Sequence, residues 1–374
     1  MSDKPEVPTD DFDDEMFAQM SQGNIPIGYH PQTGDICYLH NADRYSGTII
    51  AGAPGSGKSR LMIGMMCNEA ALNHSFGALD PHGDLVDDTV AALHDNNIHR
   101  VSVFDLLDES HPFGVNPLAV RQFATSAALS QHVNSVWSIF MSHWPELSGQ
   151  QHARRYLQAA IITLLASPSN LVDMHRLFTD NNFRASKLRA LADPSVLQFW
   201  QTQYEDLAPA ARLQRIEPLL GRLESLFMGR SLVRNVLGQE NTIDFRRAIM
   251  NSEILLFKLG VNTLGQDAYL IGNMIISQVH AAVFSFANLL PANRPSFSFY
   301  IDEARHFAGL PELASMLTDG RKYCIRLALA FQHRSQLPAS LQEPTMNART
   351  KICFQSTPDD ARELASLFIG GTHV

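Results

Sequence analysis

Hydrophobic and polar positions in the first third of the chain alternate between two kinds of segment. Short apolar runs at Gly47–Gly52, Ser75–Leu79 and Val101–Phe104 are separated by segments with helical spacing at Lys58–Leu72 and Leu85–Leu93. Strands and helices that follow each other at these lengths are typical of parallel strands joined by crossover helices. The pattern therefore predicts the first part of a parallel α/β sheet.

The pattern becomes helical over residues 119–250. Apolar side chains recur there at spacings of three and four, as in Leu213, Ile216, Leu220, Leu223 and Phe227. Afterwards a long apolar helix is predicted at Ala268–Ala287, and strand-like runs return at Ile254–Leu259, Phe297–Ile301, Arg326–Phe331 and Lys351–Phe354. A short hairpin is predicted ahead of all these elements, at residues 26–45. We therefore expect one sheet with strands from both ends of the chain and an all-helical insertion between them.

Composition and charge change this picture mainly at the N-terminus. The 374 residues are 45% hydrophobic and 18% charged, which excludes a disordered or strongly charged chain. Residues 1–20 carry seven acidic side chains and one lysine, so most of the net charge of −9 lies there. We expect residues 1–23 to form a disordered acidic tail. The nearly neutral remainder leaves room for a local basic groove.

The sequence shows no pattern typical of secretion or of a membrane span. The four cysteines are scattered, which predicts reduced thiols in a cytoplasmic protein. The most apolar stretch, Ala268–Leu290, is interrupted by polar residues and predicts a buried helix rather than a transmembrane one. The N-terminus is acidic, unlike that of a signal peptide.

A glycine-rich loop connects the first predicted strand of the sheet to its helix. It fits the pattern G-x-x-x-x-G-K-[ST] in full. Its glycines would let backbone N–H groups surround phosphates, Lys58 would reach the β- and γ-phosphates, and the Ser59 hydroxyl would bind Mg²⁺. The alternative is a chance glycine turn before a helix. The strand before it and the helix after it favour an ATP site formed by Gly52, Ala53, Pro54, Gly55, Ser56, Gly57, Lys58 and Ser59.

A pair of acidic residues follows the apolar strand Phe297–Ile301. A strand of this kind delivers Asp302 and Glu303 to the carboxyl end of a parallel sheet, where ligands bind. Asp302 is predicted to hold the magnesium shell and Glu303 to polarise the attacking water, which favours hydrolysis over transfer to a small molecule. The alternative is a helix N-cap at Asp302 followed by an acidic first turn. The glycine-rich loop upstream favours the catalytic interpretation.

Three further polar residues stand next to predicted strands. Gln332 follows Arg326–Phe331 and is either a sensor of the γ-phosphate or the water, or a solvent-exposed strand end. Arg321, just before the same strand, either neutralises charge on the transferred phosphoryl group or belongs to a solvated basic turn. Arg349 is a second candidate of the same kind. Spacing alone leaves these alternatives open.

Taken together, the motifs resemble the hexameric DNA-translocating ATPases of the HerA–FtsK superfamily. The likeness is greatest to the TraG/TraD-like coupling proteins of bacterial conjugation and type IV secretion, and it covers roughly residues 24–370. It rests on the glycine-rich loop and on the joint order of further stretches: Ile25–Tyr29 with Thr33-Gly34, Leu79–Leu85, Phe113–Leu118, Tyr300–Ala304, Gly320-Arg321 and Phe331-Gln332.

The resemblance implies a RecA-like P-loop NTPase core, mainly a parallel sheet flanked by helices, in a homohexameric ring with DNA in its central pore. It assigns catalytic roles to Lys58, Glu303, Gln332 and Arg321, and it implies that Arg321 acts on the neighbouring subunit's nucleotide. The expected organisation is a tail at 1–23, a first nucleotide-binding part at 24–118, the helical insertion at 119–250 as a membrane-distal cap, and a second nucleotide-binding part at 251–374.

The expected partners are DNA, further copies of the chain, and relaxase or secretion-channel proteins. Relatives usually carry N-terminal transmembrane helices and a longer C-terminus. From the first difference we expect either a soluble member that docks on a separate membrane partner or a member of another branch. From the second we expect a fragment that lacks its last strand–helix unit.

The residues of the helical insertion support DNA contact only weakly. Thirteen arginines, one lysine and ten acidic residues give it a net charge of +4. Without the resemblance, a solvated helical surface is the simpler interpretation. Trp137, Trp144 and Trp200 are expected in the core rather than stacked on bases.

Three functions remain open at this stage. The first is an ATP-driven DNA translocase of the coupling type, and the second is a related secretion ATPase with a protein substrate. The third is an ATP-gated binding module without a motor role. Glu303 argues against the third, because a pure switch does not need an activated water.

Overall fold

The computed structural model describes Met16 and residues 18–119, 125–228, 231–356, 361–362 and 365. Most of the predicted acidic tail lies outside these residues. Strands β1 (Ile25–Tyr29) and β2 (Ile36–Leu39) pair antiparallel and confirm the predicted hairpin.

Seven of the described strands form one sheet, and every neighbouring pair in it is parallel. They are β3 (Thr48–Ala51), β4 (Ser75–Asp80), β5 (Val101–Asp105), β6 (Ile254–Lys258), β7 (Phe297–Ile301), β8 (Ile325–Phe331) and β9 (Thr350–Cys353). Their spatial order is β5-β6-β4-β7-β8-β3-β9. Strand β6, from the second half of the chain, therefore lies between two strands from the first half. The α/β fold class and the single sheet split in sequence are confirmed.

Helices make up most of the remaining regular structure. The first are α1 (Lys58–Ala71) and α2 (Asp84–Ala92). Between β5 and β6 the described residues form no strand; they form α3 (Ser126–His143), α4 (Gln151–Leu165), α5 (Asp173–Thr179), α6 (Asn181–Leu188), α7 (Pro194–Trp200), α8 (Pro209–Phe227), α9 (Ser231–Leu237) and α10 (Phe245–Met250). The last are α11 (Gln266–Phe284), α12 (Pro311–Tyr323) and α13 (Ala339–Asn347).

Short helical turns lie between these elements. They are Asn41–Arg44, Asp95–Ile98, Pro145–Gly149, Gln201–Glu205, Val261–Leu264, Ser285–Asn288, Pro291–Asn293, Ala304–His306 and Arg334–Gln336.

Both faces of the sheet are covered, which explains why its strands are apolar throughout. In β7, Phe297, Phe299 and Ile301 belong to a large core shared with α11, α12 and the helical insertion. Tyr300 belongs to a second core, which α1, α2 and the hairpin complete. Successive side chains of a strand point to opposite faces, so a sheet with helices on both sides needs apolar residues at nearly every position.

Helix α11 packs as a core helix of this protein. Gln266–Asn288 is the one segment of the described chain with the length and composition of a membrane-spanning helix; its mean hydropathy is 1.5, and 61% of the window is buried inside the protein. Leu270, Ile271 and Met274 are fully buried. The burial agrees with the interpretation of the interrupted apolar pattern as a buried helix.

Candidate nucleotide-binding site

The strand order brings the glycine-rich loop, Asp302 and Gln332 to one edge of the sheet. Strand β8, which ends just before Gln332, lies between β3, which leads into the loop, and β7, which leads to Asp302. The carbonyl of Phe331 accepts a hydrogen bond from the Gly52 N–H at 3.3 Å, and Gln332 is half-buried. Because the three strands are parallel, their carboxyl ends meet here.

The glycine-rich loop has the conformation that its glycines permit. Gly55 and Gly57 have φ angles of 73° and 109°, in the left-handed region that favours glycine. A Cβ atom on Gly52 would lie 2.7 Å from the Cβ of Phe354. The Ala53 N–H donates to the carbonyl of Gln355 at 2.9 Å. The loop is therefore held between the end of β8 and the segment that follows β9, and the sequence pattern gave no indication of the second contact.

Lys58 lies over this loop at the start of α1. Its Nζ donates to the carbonyl of Gly52 at 2.7 Å and to the carbonyl of Ala53 at 3.0 Å. Burial lowers the pKa of Lys58, and the charges of Asp302 and Glu303 oppose that shift. The two predicted carboxylates are therefore close enough to interact with the ammonium group.

Asp302 is held at the end of β7 by the neighbouring strand. Its N–H donates to the carbonyl of Leu79, the penultimate residue of β4, at 3.1 Å. Burial raises the pKa of Asp302, and the carboxylates of Asp80 and Glu303 raise it further. The next regular element is the three-residue turn Ala304–His306 rather than an α-helix, so the structure does not support the helix N-cap alternative.

Asp80 has a structural role next to Asp302. It is buried at the end of β4, where its carboxylate accepts the N–H of His82 at 2.9 Å and the N–H of Val86 at 3.1 Å. These bonds fix the turn Asp80–Gly83 and the first turn of α2.

Glu303 lies in a group of polar side chains whose proximity was not predicted from the sequence. Its Oε2 is 3.4 Å from Nε2 of His82, 3.4 Å from Nε2 of His306 and 3.8 Å from a terminal nitrogen of Arg305. Its backbone is left-handed, with φ 44° and ψ 45°. His82, in the turn after β4, is therefore a neighbour of the predicted water-activating carboxylate.

Arg321 lies on a helix and not in the basic turn that the sequence suggested. It is exposed in the last turn of α12. Gly320, which precedes it, serves close packing: a Cβ there would lie 2.9 Å from the carbonyl of Tyr45 and 3.0 Å from that of Ile325. Arg349 forms an ion pair with Asp43 at 2.8 Å, which accounts for its charge.

The loop and its surroundings fit a phosphate-bearing ligand and a hard cation. The Oγ of Ser56 is buried and, within the described part of the chain, has no hydrogen-bond partner. The Cβ that Gly52 lacks would lie 2.8 Å from that oxygen and would fill the space beside it. A helix N-terminus preceded by such a loop binds phosphate, and the oxygens of Ser59 and Asp302 are ligands that Mg²⁺ prefers. The residues present are therefore suited to ATP and Mg²⁺.

The helical insertion buries most of the aromatic side chains that were considered for base stacking. Trp144 and Trp200 are buried, which confirms their assignment to the core. Trp137 is half-buried beneath the guanidinium of Arg154, whose Cζ lies 4.7 Å from the ring centre. Arg184 is also buried and pairs with Glu205 at 2.6 Å, so it does not contribute to a basic surface.

Comparisons with known proteins agree with this arrangement. The sequence model of a family described as the TraM recognition site of TraD and TraG matches residues 296–374, which begin just before β7. None of the curated protein sequences matches the chain.

Solved structures match the fold over most of the chain. The bacterial conjugative coupling protein TrwBΔN70, in an unbound form, is 14% identical over 89% of this chain and 74% of its own, with a TM-score of 0.62. VirB4 of Thermoanaerobacter pseudethanolicus is 14% identical over 93% and 88%, with a TM-score of 0.61. TrwB in complex with ADP and Mg²⁺ is 15% identical over 91% and 73%, with a TM-score of 0.57.

These matches confirm the resemblance that the motifs predicted. The chain has the RecA-like P-loop fold of the conjugative coupling proteins and of VirB4 and, at its C-terminal end, the sequence pattern of the TraG/TraD family.

Proposed function

We propose that this chain is an ATPase of the coupling type, which uses ATP hydrolysis to move DNA through a homohexameric ring in conjugation or type IV secretion. The proposal rests on one observation: the glycine-rich loop, Asp302, Glu303 and Gln332 lie at the same edge of the sheet. A module that only binds nucleotide does not need a second carboxylate such as Glu303 to activate a water. The fold shared with TrwB in complex with ADP and Mg²⁺ supports the choice of ligands.

Each residue at this edge has a distinct role in the proposal. Lys58 neutralises charge on the β- and γ-phosphates, and Ser59 and Asp302 hold Mg²⁺, which supplies further charge neutralisation when bound. Glu303 accepts a hydrogen bond from the attacking water and orients it. Gln332, at the end of the strand between the loop and Asp302, contacts the γ-phosphate or that water.

Arg321 is too far from its own nucleotide site to act there. It precedes β8, whereas Gln332 and the loop lie beyond the other end of that strand. The seven residues of β8, Ile325–Phe331, span about 20 Å at a rise of about 3.3 Å per residue. We therefore propose that Arg321, which is exposed at the opposite edge, acts in a ring as an arginine finger at the site of an adjacent subunit.

DNA is the proposed substrate, with relaxase or secretion-channel proteins as further partners. Support comes from the family matched by residues 296–374 and from the coupling proteins that share the fold. The helical insertion adds exposed arginines that could contact phosphates, among them Arg154, Arg155 and Arg189.

The first test is ATP hydrolysis by the purified chain with no DNA, with single-stranded DNA and with double-stranded DNA, over a series of salt concentrations. We expect turnover that DNA stimulates and that rising salt reduces. Lys58→Ala should abolish nucleotide binding, whereas Glu303→Gln should retain binding and lose hydrolysis. An ATP turnover rate that does not change when DNA is added would instead favour a secretion ATPase with a protein substrate. Hydrolysis that survives Glu303→Gln would contradict the proposed site.

A mixing experiment tests the role of Arg321. Neither Arg321→Ala nor Lys58→Ala should hydrolyse ATP alone, but a mixture forms some interfaces that combine an intact Lys58 with an intact Arg321. Mixing the two variants should therefore restore part of the activity. Lys322→Ala, which changes the adjacent exposed cation, is the matched control and should behave as the wild type. No recovery in the mixture would contradict a role in trans.

A further inference from the structure

The carboxylate of Glu303 is held at one of its two oxygens. His82, His306 and Arg305 all approach Oε2, at 3.4, 3.4 and 3.8 Å. A carboxylate has two acceptor oxygens, so side chains that approach one of them fix the orientation of the whole group.

The contacts within this group show which side chain holds which. The Nε of Arg305 donates to Nε2 of His306 at 3.0 Å. An arginine is always a donor, so Nε2 of His306 must be the acceptor and the ring carries its proton on Nδ1. Burial and the charge of Arg305 lower the pKa of His306, and the carboxylate of Glu303 opposes that shift. His306 therefore supports the guanidinium of Arg305 and also lies against the carboxylate of Glu303.

The His306 ring is in turn fixed from the other side. It stacks on Tyr269 with ring centres 4.2 Å apart and an angle of 9° between the planes. Tyr269 is buried in the first turns of α11 and makes an edge contact with Phe307. The contacts thus run from α11 through two flat rings to a guanidinium and from there to the carboxylate.

From this geometry we propose that Arg305 and His306 are positioning residues for Glu303, with Tyr269 as the surface that fixes the His306 ring. The inference rests on the proposed function, because it explains how the water-activating carboxylate is oriented. A terminal nitrogen of the Arg305 guanidinium attracts Oε2 of Glu303, and the Nε of the same guanidinium is held by its hydrogen bond to His306. The left-handed backbone at Glu303 adds a need for such support, since a residue other than glycine is strained there.

The test compares variants that remove one contact at a time. His306→Phe keeps the flat ring on Tyr269 but removes the acceptor nitrogen, and Arg305→Gln removes the charge at a side chain that is already part-exposed. Each should lower kcat for ATP by about 10- to 100-fold, the range for a misplaced catalytic group, with KM and the Kd for nucleotide unchanged. Tyr269→Phe keeps the stack and should behave as the wild type, whereas Tyr269→Leu should lower kcat. The matched control is His111→Asn. His111 and Asp108 are three residues apart in sequence, as His306 and Glu303 are, and they form an imidazole–carboxylate pair at 3.0 Å on an exposed loop.

A double variant separates positioning from a general structural effect. If His306 acts through Glu303, adding His306→Phe to Glu303→Gln should lower the residual turnover no further. An additional loss in the double variant, or a loss confined to nucleotide affinity, would overturn the inference. If His306→Phe and Arg305→Gln both keep the wild-type kcat while Glu303→Gln is inactive, the inference about positioning is overturned and the proposed function stands. Full turnover in Glu303→Gln would overturn the proposed function together with it.

Discussion

A buried ion cluster at the amino end of the sheet allows a quantitative prediction of stability. The carboxylate of Glu69, on α1, is fully buried and pairs with Arg44 and with Arg326, the second residue of β8. It also accepts hydrogen bonds from Ser298 and from Tyr300, the latter at 3.4 Å. One carboxylate therefore neutralises two buried cations. Its contacts also join the short helix after the hairpin to α1 and to the central strands β7 and β8.

The predicted change is Glu69→Gln, which keeps the shape of the side chain and removes its charge. Burial lowers the pKa of Arg44 to about 10, so this arginine remains protonated at pH 7. Both Arg44 and Arg326 would then be buried without an anion. Removing one partner of a buried ion pair costs about 3–5 kcal/mol, most of it from the uncompensated charge. We expect the free energy of unfolding to fall by about that amount.

The assay is urea denaturation at pH 7, followed by circular dichroism. The matched control is Asp43→Asn, which breaks the ion pair with Arg349, whose side chains are 32% and 69% exposed. An exposed pair of this kind contributes less than about 1 kcal/mol. If Glu69→Gln and Asp43→Asn destabilise the protein equally, the buried cluster has no special energetic role and the reasoning is refuted.

Three further predictions concern single positions, and each is measured by urea denaturation. Burial lowers the pKa of His280 from 6.5 to about 4, so the unfolded chain binds a proton first and stability falls as the pH drops through this window. Between pH 7.5 and pH 5, the free energy of unfolding of His280→Asn should therefore fall by about 2 kcal/mol less than that of the wild type; equal decreases would contradict this. Gly272→Ala should cost about 1–3 kcal/mol, because its Cβ would lie 2.5 Å from Cε1 of Phe307, whereas Gly221→Ala, which has room, should not destabilise. Asp193→Ala removes the N-cap of α7 and should cost about 1 kcal/mol; no change would show that the cap is dispensable.

Local pattern was sufficient to locate the strands of the sheet. Each of its strands was predicted to within one residue at either end, because every one is an apolar run bounded by glycine or polar residues. Helix α12, which carries Arg321, was not predicted. The order of the strands could not be predicted, because the insertion of β6 between β4 and β5 depends on contacts between distant parts of the chain.

Contacts between distant parts of the chain also account for the parts of the candidate site that could not be predicted. Lys58, Asp302 and Glu303 could be proposed because each stands at a fixed offset from its own strand. Tyr269 and His82 come from segments far from Glu303 in sequence, and no spacing rule connects them. Their proximity depends on how α11 and the turn after β4 pack around the end of β7.

Strand β8 connects the features on which these arguments depend. Gln332 follows its carboxyl end, where the Phe331 carbonyl is bonded to the loop, and Arg321 lies just before its amino end. Arg326, near that amino end, is paired through Glu69 with the same helix, α1, that begins at Lys58. A shift of β8 relative to α1 would therefore disturb the buried cluster as well as the nucleotide edge. Because breaking a buried ion pair is costly, the cluster favours movement of α1 and β8 as one unit. In the proposed ring, a change at one nucleotide would then be transmitted along this unit to Arg321, which the proposal assigns to the site of the next subunit.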